Sequence, residues 1–181
     1  SFTLSAIALQ VPEIALLQLP FYFVSTAQRD CVLDNHVLKY AHDALDKRNL
    51  KFIAWGEVGP VHLPGKKAYT LPADVKGIKV GVVTNKMNNE FWKTMGANPV
   101  PTAVAEVSSS MQTGLIDTYP TPFAFYVPSG LNKIAGTMVK LPLWDAAGMT
   151  VMNKGIYDKL SAEAKAAFEK DRELHPAAML R

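Results

Sequence analysis

The sequence predicts an α/β fold with a largely parallel sheet. Strand-like segments alternate with helical ones along the chain, and glycine, proline or asparagine punctuates most changes of element. Of 181 residues, 49% are hydrophobic and 19% charged, an ordinary globular balance that excludes a disordered chain. This length suits one domain, or two small lobes sharing a sheet. Nineteen basic residues against sixteen acidic ones give a net charge of +3. The basic residues are scattered, with no run longer than pairs such as Lys66-Lys67, so a nucleic-acid-binding stripe is not expected. No stretch reaches the roughly 18 uncharged apolar residues of a membrane span. The nearest, Ile14 to Val24, holds Gln18 and Pro20 and is too short.

Phe2 to Leu9 reads as a buried strand already in progress at the first residue, without the basic region and small-residue cleavage site of a signal peptide. That opening leads us to expect a fragment of a longer protein. Leu16 to Val24 carries Pro20, which cannot donate to a ladder, so it is loop or edge. From Ser25 the period becomes helical: Leu33, Val37, Ala41, Ala44 and Leu45 share a stripe opposite Asp34, Lys39, Asp43 and Lys47. Asn49 suits the left-handed stop of that helix. Lys51 to Val58 is a strand that resumes after a Gly59-Pro60 break, and Asp74 to Gly77 a tight turn. Ile78 to Val83 is a compact strand, Asn88 to Met95 a helix ended by Gly96, and Asn98 to Pro101 an extended connection. Val104 to Thr113 is a helix ended by Gly114, and Leu115 to Tyr119 a short strand. Tyr126 to Gly136 is loop plus helix, and Thr137 to Val151 holds one or two strands. Ser161 caps a last helix over Ala162 to Leu174, stopped by Pro176.

Catalytic chemistry is not signalled. The single cysteine, Cys31, excludes an internal disulfide and any multi-cysteine zinc pattern. His36, His42, His62 and His175 lack the spacing of a metal set. There is neither a Gly-x-Ser-x-Gly elbow nor a glycine-rich phosphate loop. No catalytic residue, metal or cofactor is therefore expected. The remaining signal is aromatic: Trp55, Tyr119 and Trp144 lie at strand ends, where flat side chains often line a cleft beyond the carboxyl edge of a sheet. Phe91 and Trp92, on a short helix, read as core.

Several segments then fall in one order: Leu19-Pro20-Phe21; Trp55-Gly56-Glu57-Val58-Gly59; Pro72-Ala73-Asp74-Val75-Lys76-Gly77-Ile78-Lys79; Gly96-Ala97-Asn98-Pro99; and Gln112-Thr113-Gly114-Leu115-Ile116-Asp117. In this order they resemble the DctP-type solute receptors of tripartite ATP-independent periplasmic (TRAP) transporters, over about residues 1 to 173. The resemblance implies a two-lobed, periplasmic-binding-protein-like fold that closes on a small solute. It implies no enzyme activity, a periplasmic location, and delivery of the solute to TRAP membrane subunits or another membrane partner. Family members are longer, so the N-terminal part of the first lobe is expected to be missing. Residues 54–151 would form the second α/β lobe, while 1–53 and 152–181 would supply part of the first lobe and connecting elements.

The pattern departs from the family where the solute is gripped. An arginine common in these receptors is replaced by Gly81, in Lys79-Val80-Gly81-Val82; another falls at Val61. A characteristic asparagine is Thr121, and an aromatic before Glu106 is Val104. Without a guanidinium fork a buried carboxylate lacks its best partner. The expected solute is therefore neutral, cationic or amphipathic, with Trp55, Asn85, Val104, Tyr119, Thr121 and Trp144 as candidate contacts. A swing of Lys66 or Lys67 into the site is the alternative source of positive charge. A sensor or efflux-associated accessory is the alternative function.

Overall fold

A computed structural model describes the backbone of residues 2–174 and the side chains of residues 2–170. Two compact units emerge, one from residues 1–58 with 145–181, the other from residues 59–144. The chain passes between them twice, within one strand and at the start of another.

The first unit opens with β1 (Phe2–Thr3), followed at once by α1 (Leu4–Ile7). The longer strand expected here does not form. Thr3 accepts from the Ala6 amide as a helix cap, and the one-turn helix buries Leu4 and Ile7 at i, i+3 spacing. A 3-10 turn over Pro12–Gln18 buries Ile14 and Leu17. Ser25 caps α2 (Thr26–Val32) by accepting from the Gln28 amide. A π-helical segment, Leu33–Val37, joins it to α3 (Leu38–Asp46). The predicted stripe holds: Leu33, Ala41, Ala44 and Leu45 are buried, and Asn49 has a left-handed φ of 57°. β2 (Leu50–His62) runs unbroken through Gly59 and Pro60, where a break was expected.

In the second unit, β3 (Pro64–Gly65) precedes a 3-10 turn at Pro72–Val75 and then β4 (Lys79–Val82). α4 (Lys86–Thr94) buries Trp92, as expected for core. The Asn98 segment proves to be more than a connection: as β5 (Asn98–Pro101) it pairs in parallel with β4. Its prolines are tolerated because the amides of Asn98 and Thr102 donate to Ile78 and Val82 while Pro99 and Pro101 fall between these bonds. α5 (Val107–Gln112) follows, then a single parallel bridge from Thr118 to Val80 where a short strand was expected. β6 (Thr121–Pro122), α6 (Phe123–Tyr126), α7 (Leu131–Ile134) and β7 (Thr137–Met138) complete the unit.

β8 (Trp144–Asn153) returns the chain to the first unit, where α8 (Lys154–Asp158) and α9 (Ala162–Leu174) end the described residues. The Ser161 hydroxyl accepts from the Ala164 amide as the sequence predicted, while Pro176 lies outside the described residues. The expectation of a largely parallel sheet is corrected. β1 with β8, β2 with β6 and β3 with β7 are antiparallel, and among the described residues only β5 and the Thr118 bridge run parallel to β4. Alternation of strands and helices suggested crossovers, but these antiparallel partners are brought in from far along the chain rather than by βαβ units.

Each unit has its own core. The first is built on Leu4, Ile14, Leu33, Leu45, Phe52, Trp55 and Met149. The second contains two clusters, one around Val80, Val82 and Trp92, the other around Val107, Met111, Ile116, Tyr119 and Leu131. Burying such side chains contributes about 1.5–3 kcal/mol each.

Candidate functional site

Three parallel segments of the second unit end side by side: β4 at Val82, β5 at Pro101, and the Thr118 bridge. The segments that follow these carboxyl ends hold Asn85, Val104, Tyr119 and Thr121, which is where small ligands sit in α/β sheets. Four of the six predicted contacts are thus brought to one edge. Trp144 also belongs to this unit, half-buried at the start of β8, whereas Trp55 belongs to the first unit.

Their environments differ. The Asn85 side chain accepts from the Asn88 amide at 2.8 Å, capping α4. Val104 is 52% exposed at the head of a 3-10 turn. Thr121 is fully buried opposite His62 in the β2–β6 pair, and its hydroxyl has no protein hydrogen-bond partner. Tyr119 is buried, and that burial pushes its phenol pKa up, so it is a neutral donor at physiological pH. Trp55 lies in the first unit's core, edge-on to Phe52 with ring centroids 4.8 Å apart; its indole N–H also lacks a protein partner.

Gly81 sits on β4 near this edge. A Cβ there would lie 2.7 Å from Ile116 Cδ1, 2.9 Å from Tyr119 Cδ2 and 3.1 Å from Thr102 Oγ1. The direction any side chain would leave the backbone is thus already filled. Ile116 and Thr102 had no sequence signal; only the fold brings them to Gly81.

The largest feature sequence reasoning missed is in the first unit. The Arg29 guanidinium, 1% exposed, meets three carboxylates: Asp30 and Glu57 at 2.7 Å each and Asp145 at 2.9 Å. It also donates to the Ala146 carbonyl at 3.2 Å. Burial opposes its charge, but the bonds to Glu57 and Asp30 and the field of Asp145 outweigh it and hold its pKa above the ordinary value. Arg29 is therefore committed to its own carboxylates. Arg48 donates to the Ala44 carbonyl at the end of α3. Lys66 and Lys67 lie near Gly77 and Ile78, by the amino end of β4 rather than its carboxyl end. Among the described residues no cluster of His, Cys, Asp and Glu is arranged to hold a metal ion, and no described helix is long and apolar enough to cross a membrane.

Comparison with known proteins decides the family. Residues 1–175 match the family model for bacterial extracellular solute-binding proteins, family 7 (DctP). The chain belongs to this family. Among its relatives, a 2,3-diketo-L-gulonate-binding periplasmic protein of Escherichia coli is 30% identical over 86% of this chain and 48% of its own length. A solute-binding protein of Verminephrobacter eiseniae is 28% identical over 87% of this chain and 48% of its own. In structure, a TRAP periplasmic solute-binding protein of Chromohalobacter salexigens with bound D-glucuronate matches with a TM-score of 0.89 at 27% identity, over 99% of this chain and 60% of that one. Its counterpart from Roseobacter denitrificans, with bound β-D-glucuronate, gives 0.87 at 28%, over 94% and 57%. This family 7 chain thus spans about half the length of the relatives it matches. The family is one of solute-binding proteins, not of enzymes.

Proposed function

We propose that this chain is part of an extracytoplasmic TRAP solute receptor that captures a small organic solute without a carboxylate–guanidinium anchor and delivers it to the transporter's membrane subunits. Family membership and the TRAP descriptions of the matched structures support transport over a sensor or efflux accessory.

One observation carries the reading of the solute. The space at Gly81 is filled by Ile116 and Tyr119, so no bidentate cation can rise from that point of β4. Beside it stand Tyr119 and Thr102, and the segments at the same edge carry Thr121 and the exposed Val104. Such groups suit hydroxyls, amides or an apolar face; a buried carboxylate with these neighbours alone would cost several kcal/mol. Trp144, in the same unit, would add flat contact area, whereas Trp55 is packed in the core of the first unit.

A thermal-shift panel tests this. Neutral polyols, amides and amines are compared with succinate and D-glucuronate at about a hundredfold excess over Kd. A non-acidic solute should raise Tm by about 5–10 °C, the acids by much less. Strong stabilisation by the acids alone would contradict the reading.

A further inference from the structure

The second unit also holds a cavity of about 400 Å³ away from the candidate solute edge, at the amino end of β4. Its lining comes from three separated stretches: Lys66, Lys67 and Tyr69; Lys76, Gly77 and Ile78; and Gly114, Ile116 and Asp117. Among the described residues, none of its three lysines is within ion-pair distance of a carboxylate. The carboxylate of Asp117 is already engaged: its Oδ2 accepts from the Lys79 amide at 2.7 Å. Three lysines against one aspartate leave positive charge in excess around an open space whose lining is partly apolar.

The backbone around these lysines is fixed rather than trailing. A Cβ on Gly65 would run into the Tyr69 ring and lie 2.8 Å from the Lys67 carbonyl, so the Gly65–Tyr69 loop is folded tightly on itself. Tyr69 anchors it in the core beside Val75 and Val80. The aliphatic stem of Lys76 lies across Gly96, 3.3 Å from where a Cβ would be, and the Gly77 amide donates to the Gly96 carbonyl at 2.8 Å. Lysines on fixed loops lose less freedom when they bind an anion than lysines on free ones. Burial, with the field of Asp117, raises the Tyr69 pKa, so its phenol stays protonated and able to donate.

We propose that this cavity is a second binding site, one that takes a phosphate group through Lys66, Lys67 and Lys76. Lysine binds phosphate as a point charge, and no guanidinium fork is needed. The group can arrive as a free anion or as a lipid headgroup. This proposal does not rest on the solute reading, because its lysines lie by the other end of β4, although Ile116 lines the cavity and also packs against Gly81.

Isothermal titration with inorganic phosphate at low ionic strength tests the first source, and co-sedimentation with phosphatidylcholine vesicles containing phosphatidylglycerol tests the second. Saturable 1:1 phosphate binding, weakened about tenfold or more in Lys66→Ser/Lys76→Ser and unchanged in Lys140→Ser, supports the site. Vesicle binding with the same lysine dependence, without saturable phosphate binding, supports it with a headgroup as ligand. Absence of both, or equal weakening in Lys140→Ser, overturns it. Far-UV circular dichroism confirms that each variant is folded.

Discussion

At position 81 a hydrogen stands where other residues would carry a side chain, and Ile116, Tyr119 and Thr102 crowd against it. Adding one methyl should therefore strain a filled space. Gly81→Ala is expected to lower unfolding stability by about 1–3 kcal/mol in urea titrations, and Ile116→Val in the same chain to recover part of the loss. Arg29 shows the opposite situation, a buried charge whose removal leaves three carboxylates without their cation. Arg29→Met should cost about 3–5 kcal/mol by the same measurement. Arg29→Lys should not restore it, because an ammonium cannot serve several acceptors in a planar fork. Gly81 was legible as an anomaly against the family pattern. Arg29 was not legible, because one charge on a charged helix has no periodic signature. Its partner Glu57 lies 28 residues away, and the Ala146 carbonyl 117.

Among the elements, α4 depends on Asn85, so that residue has a structural duty as well as its candidate place at the solute edge. Asn85→Ala should lose about 1 kcal/mol, and Asn85→Asp should keep the cap. A change in solute binding in the Asp variant at unchanged stability would separate the two roles. The turn before β4 makes a pH prediction. Amides of Leu71 and Thr70 and the Thr70 hydroxyl donate to Asp74, holding its pKa below the ordinary 3.8. A depressed folded pKa means that its stabilisation is complete above 3.8 and is lost as pH falls through the folded value. Asp74→Asn should therefore be less stable than the parent at neutral pH, and the gap should close in acid. Elements with a long apolar period, such as the Leu33-to-Leu45 stripe, were readable from sequence. The Leu4 helix was not, because one turn carries too little period to separate it from a buried strand. The Asn98 strand was hidden by its prolines, which argue against a strand until the fold shows which amides face β4.

At the scale of the molecule, what sequence motifs implied about family and fold class agrees with the comparisons. The direction and pairing of the strands did not follow from alternation alone, because partners such as Phe2 and Met149 are set by distant returns of the chain. The candidate edge was partly legible: loops after strands in an α/β unit are the places to look, and Asn85, Val104, Tyr119 and Thr121 lie there. What fills the space at Gly81 needed three dimensions. Without a guanidinium at position 81 this edge is proposed to hold no acid tightly, and direct calorimetric titration with D-glucuronate and succinate tests this most simply. Neither acid is expected to give saturable heat up to about millimolar concentration. A 1:1 isotherm with a Kd of about 1 μM for either one would contradict it.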